Sequence, residues 1–169
     1  MHGHPLFLVS ASEYILAKAR EAGLTARALP SVSSFDCIVC DLEIDIGYGV
    51  QIHDPTTMIR NGVVPDPKIP LLLFQLTTIL NDNIVRDDPA PECLRPLVDY
   101  LLHVYPGEHP CTLLHVGAHI LERGRQTPLT IGTLATTGAD LELWKRPTLF
   151  VPPLRVAQHA AAGETSRVQ

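Results

Sequence analysis

Residues 1–37 read MHGHPLFLVSASEYILAKAREAGLTARALPSVSSFDC, and their grouping decides the fold. Residues 5–10 (PLFLVS) form a short apolar run. Residues 13–22 carry helical periodicity, and Gly23 stops it. Residues 27–29 then lead into Pro30-Ser31-Val32-Ser33-Ser34, and a second helix starts near Phe35. An order of strand, helix, strand, helix builds parallel α/β layers. Ligands in such sheets sit beyond the carboxyl ends of the strands. Two loops are expected at those ends, Ser10-Ala11-Ser12 and Pro30-Ser31-Val32-Ser33.

Working outward, residues 41–49 (DLEIDIGYG) are a polar, glycine-marked exit and read as a hinge between lobes. Residues 50–54 suit a short strand and residues 55–60 a helical turn. Residues 69–76 (IPLLLFQL) form a near-continuous apolar run, the pattern of a strand buried on both faces. Residues 81–91, acidic and broken by Pro89 and Pro91, read as a loop. Residues 92–104 repeat Leu94, Leu97, Leu101 and Val104 at helical spacing, with Pro96 in the first turn. Residues 111–120 and 148–151 read as strands, residues 123–126 as a turn, and residues 129–134 as a further short element. The division expected is 1–48 for a first lobe, 49–156 for a second, and 157–169 for a fraying tail.

The composition suits a folded globular chain. Of 169 residues, 46% are apolar and 18% charged. A net charge of −5 with no basic run argues against a nucleic-acid groove. No apolar run nears the ~20 residues that span a bilayer. The start lacks the long apolar segment of a secretory signal, so a cytoplasmic location is expected.

Few motifs carry chemistry on their own. Cys37 and Cys40 have CxxC spacing, but no second pair completes a zinc site, and two buried, reduced thiols on a helix face are expected. His115 and His119 are four apart in a strand-like run, too far for one small ion, so no metal is expected. No G-x-S-x-G, G-x-G-x-x-G or G-x-x-x-x-G-K-S/T motif occurs. Ser33, Ser34 and Asp36 read as a helix cap, whose exposed N–H groups can also cradle an anion. Gln75 closes an apolar strand, and a carboxamide there loses about 1–3 kcal/mol unless it finds a partner. That partner is either a bound ligand or nearby backbone and solvent.

Taken in order, these residues resemble the tetrapyrrole (corrin/porphyrin) methylase superfamily. The branch they most resemble is the α-N-methyltransferase domains of borosin precursors. The family's Tyr-Gly-His-Pro-Gly loop is matched by His2-Gly3-His4-Pro5-Leu6. Its Leu-Pro-Gly-Ile-Ser-x-x-Asp/Glu-Cys is matched by residues 29–37, and its Ala/Cys-Asp-Leu-x-Ile-Asp by residues 40–45. Phe74-Gln75 resembles its Trp-Gln strand end, His115-Val116-Gly117-Ala118 its second-lobe strand, and residues 148–153 (TLFVPP) its closing strand.

The resemblance implies a two-lobed α/β fold with S-adenosylmethionine in the cleft between lobes. It implies cofactor contacts from Gly3, His4 and Pro5, from Ser10, Val32 and Ser33, from Gln75, and, near the adenine, from Gly117 and Ala118. The family carries a strand and a Gly-rich loop ahead of Gly-His-Pro that have no match here. The expectation is therefore a first lobe reduced to two βα units. Leu6 and Ser31 replace family glycines, which crowds a ligand that backbone would otherwise approach. An open strand edge invites pairing, so a homodimer or a separately encoded N-terminal half is expected as partner.

Two functions follow. One is a truncated or split S-adenosylmethionine-dependent methyltransferase, with His2 as the base or simply an exposed histidine. The other is a non-catalytic binding or scaffold module that partners a complete methyltransferase or a peptide precursor. The methyl acceptor, whether tetrapyrrole, peptide or another molecule, stays open.

Overall fold

The computed structural model describes residues 3–81, 89–117, 122, 124–136 and 141–154. Its centre is β2 (Leu71–Leu73), three leucines with no exposed surface. The strand is buried on both faces, as its unbroken apolar run requires. Around it lie β1 (Gln51–His53), β3 (Pro110–His115), β4 (Arg125–Thr130) and β5 (Thr148–Val151), in the order β1-β2-β5-β3-β4. Only β1 and β2 are parallel neighbours, with Ile52 opposite Leu72. β5 runs antiparallel to both β2 and β3, and β3 and β4 are antiparallel partners. Hence β1, β2 and β3 all point their carboxyl ends to one edge of the sheet.

The two-residue side-chain period of strands divides the core in two. On one face Leu71, Leu73, Leu113, Leu149 and Val151 pack with Met58, Leu97, Leu101 and Ile131. These last side chains come from α3 (Pro55–Arg60), α4 (Arg95–Leu101) and a short 3-10 turn after β4. On the other face Leu72, Phe74 and Leu114 pack under Ile38 of α2 (Ser34–Leu42), with Phe7, Leu8 and Phe35 around them. Each fully buried leucine contributes about 1.5–3 kcal/mol by leaving water.

The helices start where local chemistry directs. Asp54 caps α3, accepting the Thr57 N–H at 2.7 Å, and Pro55 fits the first turn. Ser33 and Asp36 close a reciprocal capping box on α2. The expected helix at 92–104 divides into a 3-10 turn and α4, with a proline in the first turn of each.

Several expectations are corrected. Residues 5–9 form turns, not a strand, and Ser10 opens α1 (Ser10–Glu21) rather than closing a strand. Residues 27–29 are likewise irregular. A strand persists only where a neighbour takes its N–H and C=O groups, and no described strand lies beside either stretch. The apolar residues of 5–10 serve as a plug instead. The Phe7 ring meets Phe74 edge-on at 5.0 Å and Phe35 at 6.1 Å. The α/β class stands, with both βα units of the first 48 residues lacking their strands. Arg125 and Gln126, expected in a turn, open β4. Residues 82–88 of the expected loop, His119, and the tail from residue 155 lie outside the described residues.

Candidate functional site

Gln75, one of the expected cofactor residues, lies just past the carboxyl end of β2. β2 runs into Phe74, whose N–H bonds the His53 carbonyl at 3.1 Å, and then into Gln75. There the backbone turns left-handed, with φ 57° at Gln75. The Gln75 Nε2 donates to the Leu8 carbonyl at 3.0 Å, across 67 residues of sequence. Leu8 is itself left-handed, with φ 54°. Two non-glycine residues in this region, joined by one hydrogen bond, store about 1–2 kcal/mol each of backbone strain. Of the two readings of Gln75, the structure gives the backbone partner. The side chain is exposed, and its Oε1 and second amide hydrogen have no described partner.

That bond pins the 3–9 loop to the end of β2. Gly3 sits at φ 84°, and a Cβ there would lie 3.6 Å from the Val32 carbonyl. His4 Nδ1 accepts the Leu6 N–H at 3.2 Å, which places the neutral ring's proton on Nε2. Asp36 Oδ2 accepts from the Ser33 N–H at 2.7 Å and from the Ser33 hydroxyl at 2.6 Å. These bonds hold the Asp36 carboxyl below its usual range, with a further electrostatic contribution from His4.

Thus Gly3 lies against Val32, next to the Ser33 cap, and Gln75 is bonded to Leu8 in the loop that carries Gly3, His4 and Pro5. The Ser33 hydroxyl is engaged by the cap, so that position offers backbone rather than side chain. Ser10, displaced into α1, is not at a strand end. His2 and Ala118 lie outside the described residues.

Gly117 follows β3 at the same edge. A Cβ there would fall on the Glu122 carbonyl oxygen, so only glycine fits the turn. Gly124 is as crowded, lying against the Asp41 carboxylate and the His115 carbonyl. Gln126 Nε2 donates to the Asp41 carbonyl at 3.0 Å, which ties the end of α2 to the β3–β4 hairpin. This tie went unread in the sequence, where Gly124 registered only as a turn signal.

Beside it Glu142 pairs with Lys145 and Arg125, both at 2.6 Å. The Lys145 hydrogen bond, followed by the charges of Lys145 and Arg125, lowers its carboxyl pKa. His115 is 7% exposed, with Nε2 3.4 Å from the Glu142 carbonyl and Nδ1 unpaired.

The thiols differ from expectation. Cys37 is half-buried and Cys40 exposed, because α2 turns Ile38 to the sheet instead. Cys111, in the core, is pushed up to about 12 by burial and is inert as a nucleophile. Among the described residues, no three His, Cys, Asp or Glu side chains are placed to share a metal ion. No described helix is long and apolar enough to cross a membrane.

Comparison with solved structures places this geometry. Cobalt precorrin-4 methyltransferase matches with a TM-score of 0.58 at 11% identity, over 89% of this chain and 61% of that one. The methyltransferase CobJ matches at 0.55 and 10%, over 90% and 62%. The uroporphyrin-III C-methyltransferase of Thermus thermophilus, solved with S-adenosylhomocysteine, matches at 0.54 and 11%, over 89% and 62%.

The fold is that of the tetrapyrrole methylases.

Sequence relatives of this chain of tetrapyrrole-methylase fold are borosin methyltransferase precursors. The omphalotin A precursor of Omphalotus olearius is 30% identical over 159 residues, which is 90% of this chain and 37% of that protein. A type I borosin precursor of Cerrena unicolor is 26% identical over 158 residues, 92% of this chain and 38% of that protein. The chain thus spans under two fifths of the length of these relatives. No family model matches it.

Proposed function

We propose that this chain is a methyltransferase domain of the tetrapyrrole-methylase type that binds S-adenosylmethionine beyond the carboxyl ends of β2 and β3. The observation that carries the reading is the strained Leu8–Gln75 pair. Strain of this kind persists where the surroundings over-determine it, and it clusters at ligand sites. Here it holds a loop to a strand end, and leaves the rest of the Gln75 carboxamide facing outward. Sequence likeness to borosin methyltransferases supports it.

The donor set suits a ligand with amino-acid and ribose groups. Gln75 offers a donor and an acceptor, and the loop it is bonded to carries the Gly3 backbone against Val32. When bound, the cofactor supplies an electrophilic methyl group on a sulfonium. The chain's own part is to orient the acceptor for in-line attack and to accept one proton. His2 is the proposed base. His4 is unsuited, since its Nδ1 is already an acceptor for Leu6 and its Nε2 carries the proton. The residues bearing this site fall in the proposed first lobe, 1–48, and at strand ends of the second, 49–156. The proposed setting is cytoplasmic, with a homodimer partner.

A second reading, a non-catalytic scaffold, is favoured by Ser33, whose hydroxyl is spent on the cap. A thermal melt separates the two. S-adenosylhomocysteine at 100 times Kd adds about 2.7 kcal/mol, a Tm rise of roughly 5–10 °C for a chain of this size. Gln75→Ala should abolish most of that rise. No rise in the wild-type chain overturns cofactor binding by this chain alone and favours the scaffold.

A further inference from the structure

His115 ends β3 with only 7% of its surface in water. Its Nε2 lies 3.4 Å from the Glu142 carbonyl, and a carbonyl only accepts, so Nε2 carries the proton. The neutral ring then presents Nδ1 as a bare acceptor, and that atom has no partner among the described residues. Leu113, two residues back on the same face of the strand, is an ordinary core leucine. An apolar side chain at position 115 would continue that face and leave no acceptor unpaired. Burying one without a partner costs stability, and a chain that keeps it points to a donor that fills it.

The register of the sheet places this atom. Leu73, Leu149 and Leu113 form one row across β2, β5 and β3. Gln75 and His115 each stand two residues beyond that row, towards the carboxyl edge. Two strand spacings set their backbones about 10 Å apart. His115 faces the α4 side with Leu113, and the Gln75 carboxamide is turned to Leu8 on the α2 side, so a ligand that touches both lies across the edge. The turns Leu76–Thr78 and Leu143–Lys145 lie beside each other here. Each is bracketed by left-handed residues other than glycine, Gln75 and Leu80 around the first and Glu142 and Arg146 around the second, with φ from 44° to 57°. Strain of that kind gathers at ligand sites. The second turn supplies the carbonyl beside Nε2 and is tied to β4 through the half-exposed Arg125. Ion pairs open to water hold weakly, so this turn can yield and let a ligand reach the ring.

We propose that His115 Nδ1 accepts a hydrogen bond from the exocyclic amino group of adenine in a bound S-adenosyl ligand, and so selects adenine over a base with an oxygen at that position. The inference rests on the cofactor reading above and assigns the ends of the ligand: His115 takes the base, and Gln75 takes the ribose or amino-acid end. A bare acceptor attracts an N–H group and repels an oxygen lone pair. A buried site built around one hydrogen bond rejects an analogue that cannot make it. His115 sets specificity and takes no part in methyl transfer.

Calorimetric titration of the full chain with S-adenosylhomocysteine and with S-inosylhomocysteine, whose base carries an oxygen in place of the amino group, tests this. The wild-type chain should bind the adenosyl compound about tenfold more tightly or better. His115→Leu should lose most of that preference by weakening the adenosyl compound alone. Its Tm without ligand should stay level or rise, because the unpaired acceptor is gone. His115→Gln, whose Oε1 can accept, should recover part of the preference. A wild-type chain that binds neither compound overturns the cofactor reading and this assignment with it. A wild-type chain that binds S-adenosylhomocysteine, with the same preference kept in His115→Leu, overturns the His115 assignment and leaves the cofactor reading standing. So does a His115→Leu chain that melts lower and loses both compounds equally, the mark of a purely structural side chain.

Discussion

The first 48 residues and residues 51–154 are built on different principles. The later region is layered, with five strands whose buried leucines face helices on one side and α2 on the other. The earlier region holds two helices and no strand among its described residues, and it leaves Tyr14, Ile15, Leu24, Leu29, Val32 and Tyr48 in water. Its described attachments include Ile38 and Phe7 packed under the sheet, the Gln75–Leu8 bond, and the Gln126–Asp41 bond. The later region is stable through burial, whereas the earlier one is attached to it. The candidate site lies on the seam between them, where small shifts in attachment move ligand-facing groups.

Leu113→Ala is the strongest test of this contrast. It empties the middle of β3 and should cost about 2–5 kcal/mol in a denaturant melt. A loss below about 1 kcal/mol would show that the sheet is not the stabilising unit. Gly124→Ala probes the seam. Its methyl would press on the Asp41 carboxylate and the His115 carbonyl, an overpacking cost of about 1–3 kcal/mol. Hydrogen exchange should quicken in α2 while β2 stays protected; equal loosening of both would merge the two regions.

The smallest effect belongs to Asp36. Its folded pKa is depressed by the Ser33 bonds, so the cap's contribution is present above the unfolded value of 3.8 and is lost as pH falls through the lower folded value. Asp36→Asn should flatten stability in that acid window alone. An unchanged acid limb would mean that the cap does not couple to folding.

How far the sequence could be read follows the same division. Residues 71–73 announced a buried strand because three leucines in a row suit nothing else between turn signals. Ser33 and Asp36 announced a cap because their spacing encodes one. Residues 5–10 misled because an apolar run specifies burial, not the form it takes, and strand form needs a neighbour. β4 was missed from its start because RQTPLT is polar and contains Pro128, which an edge strand tolerates. At the site, Gln75 stood out as polar among apolar residues. Its partner Leu8 could not, since nothing in an apolar side chain tells that its carbonyl will be the acceptor.

Among the described residues β5 is the last strand in sequence, and it is the third in the sheet. It joins β2, through Leu71 opposite Val151, to β3, through Leu113 opposite Leu149. Until it arrives, β1–β2 and β3–β4 are two separate ladders, and the three leucines of β2 face an open edge. During translation that edge waits for almost the whole described chain to emerge from the ribosome. Contacts so distant in sequence close slowly, and unpaired apolar edges recruit other chains in the meantime. A ribosome stalled before residue 148 would therefore release an aggregation-prone nascent chain, and one that had passed residue 151 would release a chain able to close its sheet.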